Sequence, residues 1–171
     1  MQAATIIQSP NQRHLGGIFF CRVGELGDKT FVKLQRGERF EEISWRDFGT
    51  KVRSAIFGLY ALGLAKGDRV AILGENSLEW LCADMATLAG GFPNVVVSPR
   101  LSDTSVLKML GHSRCRAVFA ENETAVGRLL NLKGQLPSLE YIIALNGSGA
   151  GLPHTLTFGE LLARSGEHDD D

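Results

Sequence analysis

Four short apolar runs limit the folds open to this chain. They are Arg69-Val70-Ala71-Ile72-Leu73, Asn94-Val95-Val96-Val97, Ala117-Val118-Phe119-Ala120 and Tyr141-Ile142-Ile143-Ala144-Leu145. Each is nearly continuous in apolar side chains rather than alternating, so none reads as a strand with one wet face. The stretches between them place apolar residues at steps of three and four. From Arg69 onward the order is therefore β-α-β-α-β-α-β. Right-handed crossovers turn that order into a doubly wound, mostly parallel α/β sheet covered on both faces.

The helical stretches carry their own start and stop signals. Ser44 caps a helix whose stripe runs through Phe48, Val52, Ala55, Ile56, Leu59 and Leu62, with Gly63 as its stop. Asn76 is the expected cap of the next, with Glu79 facing its amide end. Leu81, Met85 and Leu88 continue that helix, and Gly90-Gly91 end it. Ser102 caps a third helix with Val106, Leu107 and Leu110. A fourth spans 124–133, and a last short helix is expected over 156–163.

Before the sheet, Leu15, Ile18, Phe19 and Val23 have helical spacing. The runs 30–34 and 40–43 flank a turn at Gly37 and read as a β-hairpin. A hairpin cannot stand alone, so it pairs with the α/β layer or packs on it. The expected organisation is a flexible N-terminus over 1–14, an α/β subdomain over 15–165 and an acidic tail over 166–171. At 171 residues the chain is long enough to bury roughly 70% of its unfolded surface.

Charge narrows the partners. Eighteen basic and nineteen acidic residues leave a net charge of −1, without the basic excess of a nucleic-acid binder. Arg114 and Arg116 read as solvated surface beside a strand. No apolar run approaches the ~18 residues of a membrane span, and the first nine residues lack the pattern of a signal peptide. Cys21, Cys82 and Cys115 are far apart and odd in number, which fits a reducing cytoplasm better than a disulfide framework. The N-x-[ST] matches at Asn122 and Asn146 then read as chance.

Open α/β sheets bind ligands at the carboxyl ends of their strands. After Leu73 come Gly74, Glu75 and Asn76, too few glycines for a dinucleotide loop. The glycine-rich segment 146–151 ends in Leu152-Pro153, where a phosphate loop would need a glycine and a helix start, so it reads as a solvated linker. No G-x-S-x-G is present. His112 and Cys115 form one loose pair, short of a zinc set. Glu41-Glu42 read as a solvated hairpin edge, and Trp45 and Trp80 as packing residues. Composition and spacing thus describe an α/β domain with no identifiable catalytic or metal site.

Ser44-Trp45-Arg46-Asp47-Phe48, followed by the run from Leu62 to Trp80 ("LGLAKGDRVAILGENSLEW"), resembles the N-terminal region of the AMP-forming acyl-CoA synthetases, within the adenylate-forming enzymes. The resemblance continues through Pro99-Arg100-Leu101-Ser102, His112-Ser113 and Ala117-Val118-Phe119. Leu136-Pro137-Ser138-Leu139-Glu140-Tyr141-Ile142-Ile143 is most similar to the long-chain fatty acid–CoA ligase branch. It covers about 15–163. The chain departs from the family at Gly90-Gly91-Phe92-Pro93, where the proline is displaced.

The resemblance implies a parent ligase that uses ATP, magnesium and CoA. A fatty acid is adenylated first, and CoA thiol then displaces AMP. The family's phosphate loop, adenine segment, ribose-binding Asp and mobile Lys find no match here. No catalytic residue is therefore carried over, the chain alone is expected to be inactive, and no cofactor is expected on it. Some relatives meet a CoA phosphate with an arginine for which Arg128 is the nearest match; an ordinary helix-surface role is the competing reading. The implied partner is the remainder of the parent enzyme, cytoplasmic or peripheral to a membrane. An exposed apolar face could also drive homo-oligomer formation. The alternative is a free-standing α/β binding or interaction module without catalysis.

Overall fold

The computed structural model describes residues 14–147 and 151–167. Most of the expected N-terminal segment 1–14, part of the glycine-rich segment 146–151 and most of the tail 166–171 lie outside the described residues. In chain order the elements are α1 (Leu15–Leu26), β1 (Thr30–Arg36), β2 (Arg39–Ser44), α2 (Trp45–Ala61), β3 (Val70–Leu73), α3 (Leu78–Ala89), β4 (Asn94–Val97), α4 (Asp103–Ser113), β5 (Ala117–Ala120), α5 (Glu123–Leu132), β6 (Tyr141–Ala144), β7 (Thr155–Thr157) and α6 (Phe158–Ala163).

The four apolar runs are parallel neighbours, joined by a fifth strand, in the order β4-β3-β5-β6-β7. Leu73 lies level with Val97 on one side and with Ala120 on the other. Counted along the chain the order is 2-1-3-4-5, a doubly wound arrangement whose switch point lies between β3 and β5. Alternate strand residues feed two cores. Val70, Ile72, Ala117, Phe119 and Ile143 join the buried residues of α1, α2, α3 and α6. Ala71, Leu73, Val97, Val118, Ala120, Ile142 and Ala144 join those of α4 and α5. Burial on both faces is why β3, β5 and β6 do not alternate; on the edge strand β4, Val96 is exposed.

The last segment differs from expectation. Residues 155–157 are not helical: Thr155-Leu156-Thr157 is strand β7, paired with β6 with Ile143 level with Leu156. Two β-branched threonines favour the extended form over so short a span. The helix begins only at Phe158, where Thr157 and Glu160 form a reciprocal capping box. A 3-10 turn follows over Arg164–Glu167. Gly58 of α2 lets this unit approach closely, because a Cβ there would lie 2.9 Å from Leu161 Cγ and closer still to the Leu161 carbonyl oxygen.

Other boundaries shift by a residue or two. The cap of α3 is Ser77, not Asn76: its hydroxyl accepts from Trp80 N at 3.0 Å. Asn122 caps α5 by accepting from Ala125 N, so that N-x-T asparagine has a structural role. The hairpin forms its own two-stranded sheet and packs on the helical layer rather than pairing with the main sheet. Phe31 docks it, 4.5 Å from Trp45 edge-on and 4.5 Å from Phe48 in a stack.

Arg116 corrects the solvated-surface reading. Its side chain is only 27% exposed. It donates to both Glu140 carboxylate oxygens at 2.7 Å, to Asp68 at 2.5 Å and to the Gly63 carbonyl. Arg69 holds the Ser113 and Arg114 carbonyls beside it. These contacts bind the amino-terminal ends of β5 and β6 to the turn before β3. The Arg116 guanidinium holds the Glu140 carboxyl below its ordinary range. Asp68 is lowered first by the Ala65 backbone amide and then by Arg116.

Candidate functional site

The switch point at the carboxyl ends of β3 and β5 is where this topology places a ligand. Its floor is Gly74, buried at the end of β3. A Cβ on Gly74 would fall 2.6 Å from Glu121 Cβ, so glycine is what lets the Glu121 side chain lie across the crevice. The Glu121 carboxylate accepts from Glu75 N at 2.9 Å, and Arg100 from the turn after β4 reaches Glu75 at 3.2 Å. Arg100 and Glu75 are largely exposed.

The helix N-termini at this edge are also engaged. Trp80 N donates to Ser77, Ser105 N to Ser102 and Ala125 N to Asn122. At each of these helices one amide is therefore spent on a side chain of the same chain. One guanidinium and two carboxylates give the crevice a negative balance, the wrong sign for a polyphosphate.

Arg128 lies beside this edge, on α5, with its side chain 20% exposed. It donates to Asp103 at 2.6 Å, to the Pro99 carbonyl at 3.0 Å and to the Leu101 carbonyl. It is thus a half-buried clamp on the turn between β4 and α4, rather than an ordinary surface arginine. Three of its five N–H donors are used there.

The remaining sequence candidates do not converge. His112 is exposed while Cys115 is buried against Ser113. Glu42 is tied to Lys33 and Thr30 on the hairpin. Burial pushes the Cys82 thiol up to about 12 and also raises Cys115. Among the described residues no group of three or more His, Cys, Asp or Glu could hold a metal ion. Sequence reasoning passed over Glu121 and Arg100. The available signal was position: Glu121 directly follows a strand run, and Arg100 lies in the turn after one.

Residues 19–166 match the AMP-binding enzyme family. The chain belongs to that family. A long-chain-fatty-acid–CoA ligase from Mycobacterium bovis, FadD15, is 30% identical over 135 residues, covering 78% of this chain and 22% of its own length. The medium-chain acyl-CoA ligase ACSF2 of Macaca fascicularis is 31% identical over 130 residues, covering 66% of this chain and 21% of that protein. Coronafacic acid ligase from Pectobacterium brasiliense superposes with a TM-score of 0.77 at 20% identity, over 88% of this chain and 29% of that one. The anthranilate–CoA ligase AuaEII, solved with anthranoyl-AMP, gives 0.73 at 21% identity, over 88% of this chain and 27% of that one. These superpositions establish the fold: an α/β layer of an AMP-binding enzyme. The chain spans about a fifth of the length of the curated ligases it matches, and it matches the N-terminal region of the fatty acid–CoA ligases.

Proposed function

We propose that this chain is the first α/β layer of a long-chain fatty acid–CoA ligase and supplies scaffold rather than chemistry. In the parent reaction a carboxylate oxygen attacks the α-phosphorus of ATP and pyrophosphate leaves. The CoA sulfur then attacks the acyl carbon, AMP departs with the bonding electrons, and the thiol proton passes to solvent. Magnesium travels with the nucleotide as part of the substrate. The observation that carries the assignment is the family match across 19–166, joined to fatty acid–CoA ligases among the relatives. The crevice supports the scaffold role: each helix facing it has an amide capped by its own side chain, and its charge balance is negative.

Arg128 first holds the turn between β4 and α4; its two remaining N–H donors are offered to a CoA phosphate. The other partner is the remainder of the enzyme, which covers exposed apolar residues such as Val96 on the edge strand β4, 52% exposed here. With that surface bare the chain self-associates. No described helix is long and apolar enough to cross a membrane.

The test is a hybrid in which this chain replaces the matching segment of the Mycobacterium bovis ligase. A folded hybrid that forms long-chain acyl-CoA supports the assignment. A folded hybrid that binds neither ATP nor fatty acid refutes it and favours a free-standing module. In an active hybrid, R128Q raises KM for CoA if the phosphate contact is made, and lowers only stability if the clamp is its whole role.

A further inference from the structure

On the sheet edge opposite the switch point, a cleft of about 320 Å³ lies between the end of α2, the start of β6 and β7, and the turn after α6. It is lined by Ala61, Leu62, Tyr141, His154, Thr155, Leu156 and Arg164. That volume lies at the lower end of the range for small-molecule sites. The lining has the composition of such a site: an aliphatic floor with a few polar groups around it.

Those polar groups have hydrogen-bonding capacity left over. The side chains of Arg164, His154 and Tyr141 make no hydrogen bond to any described residue. They come from three separate elements, so no single helix face explains their meeting. His154 is also held at a φ of 61°, in the left-handed region. The sheet imposes this, because its carbonyl accepts from Ile142 N at 2.9 Å while Thr155 N is bound to Leu152 O. That pairing leaves the imidazole exposed at the mouth of the cleft.

The nearby charges decide which anion would fit. Arg164 is the one cation of the lining. Glu160, one helical turn earlier, acts on it electrostatically but is committed to the Thr157 amide and hydroxyl. Glu140, just before Tyr141, is bound to Arg116. With Glu140 neutralised by Arg116, Glu160 is the carboxylate that acts on the guanidinium, and its charge favours a monoanion over a dianion. A guanidinium with neutral donors suits a carboxylate, and the Tyr141 ring, Leu62 and Leu156 suit an apolar body.

We infer that this cleft binds a small organic carboxylate, with Arg164 on the anionic oxygens, Tyr141 and His154 as added donors, and Leu62 and Leu156 against the apolar body. The site is distinct from the switch-point crevice and does not rest on the ligase reading.

The test is an amide ¹H–¹⁵N NMR titration of the full chain with benzoate, benzamide and inorganic phosphate. Benzoate is expected to shift the Ile142, Thr155, Leu156 and Arg164 amides saturably, with weaker effects from benzamide and phosphate. R164Q is expected to weaken benzoate about tenfold or more, and Y141F about threefold. Arg164 makes no hydrogen bond to the described residues, so R164Q is expected to retain the wild-type spectrum elsewhere; should it fail to fold, Y141F and H154A decide. Absent or scattered shifts, equal binding of benzamide or stronger binding of phosphate would overturn the inference. So would folded variants that bind benzoate like the wild type.

Discussion

Replacing Gly58 with alanine tests the seam between α2 and α6. In an unconstrained helix interior this change stabilises by about 1 kcal/mol. Here the new methyl carbon would meet the Leu161 carbonyl oxygen and lie 2.9 Å from Leu161 Cγ and 3.0 Å from its carbonyl carbon. Much of that obstacle is backbone, so a rotamer change cannot relieve it and α6 must move. Leu161 is fully buried and Phe158 nearly so. Overpacking costs about 1–3 kcal/mol, and lifting Leu161 partly into solvent loses some of the ~1.5–3 kcal/mol its burial supplies. After the helix gain is deducted, the expected loss is about 2 kcal/mol, or a melting temperature lower by roughly 4–8 °C for a chain of this size. Gly127 on α5 is the control, since a Cβ there meets nothing within 4 Å; G127A should raise the melting temperature by about 2–4 °C. Thermal melts followed by circular dichroism read both. If G58A and G127A both raise the melting temperature, α6 does not rest on α2 and the fifth strand loses its support.

Three further outcomes follow from the charged and buried groups. R116Q should cost about 2 kcal/mol in urea unfolding, because it leaves the Asp68 and Glu140 carboxylates without their guanidinium. Asp68 and Glu140 are both lowered from their ordinary values of 3.8 and 4.5. Their stabilisation is therefore present above about pH 5 and is lost as pH falls through the lower folded values, and R116Q should flatten that acid limb. Asp84 is raised by burial while accepting from Asn94, whose own Oδ1 is buried without a partner. D84N supplies a neutral donor for that oxygen and should stabilise by about 0.5–1 kcal/mol at pH 7; a loss of stability there would contradict the geometry. In the native chain a thiol reagent should label Cys21 and leave buried Cys82 and Cys115 unreacted until denaturant is added.

Much of the fold was legible because burial on two faces leaves an unmistakable trace. Runs such as Ala117–Ala120 can only be covered strands, and Ser44 and Ser102 mark their helices. The fifth strand was not legible, since three residues are too few to display a period and the Phe158 helix directly behind them dominates the pattern. Asn76 and Ser77 are both good caps, and only backbone geometry separates them. Arg116 was misread because its partners Asp68 and Glu140 are 48 and 24 residues away, a pairing that exists only once β3, β5 and β6 are side by side. The family was legible from one contiguous run ending at Trp80. The crevice was not, because a glycine and a glutamate become a closed floor only across two strands that are distant in sequence.

The scaffold reading is tested most directly by fatty-acid-dependent ATP–pyrophosphate exchange, measured on the purified chain with palmitate, ATP and magnesium. With side-chain caps on the switch-point helices and Glu121 lying over Gly74, no label should enter ATP above the acid-free background. Saturable, palmitate-dependent exchange by this chain alone would place adenylation chemistry within it and contradict the account.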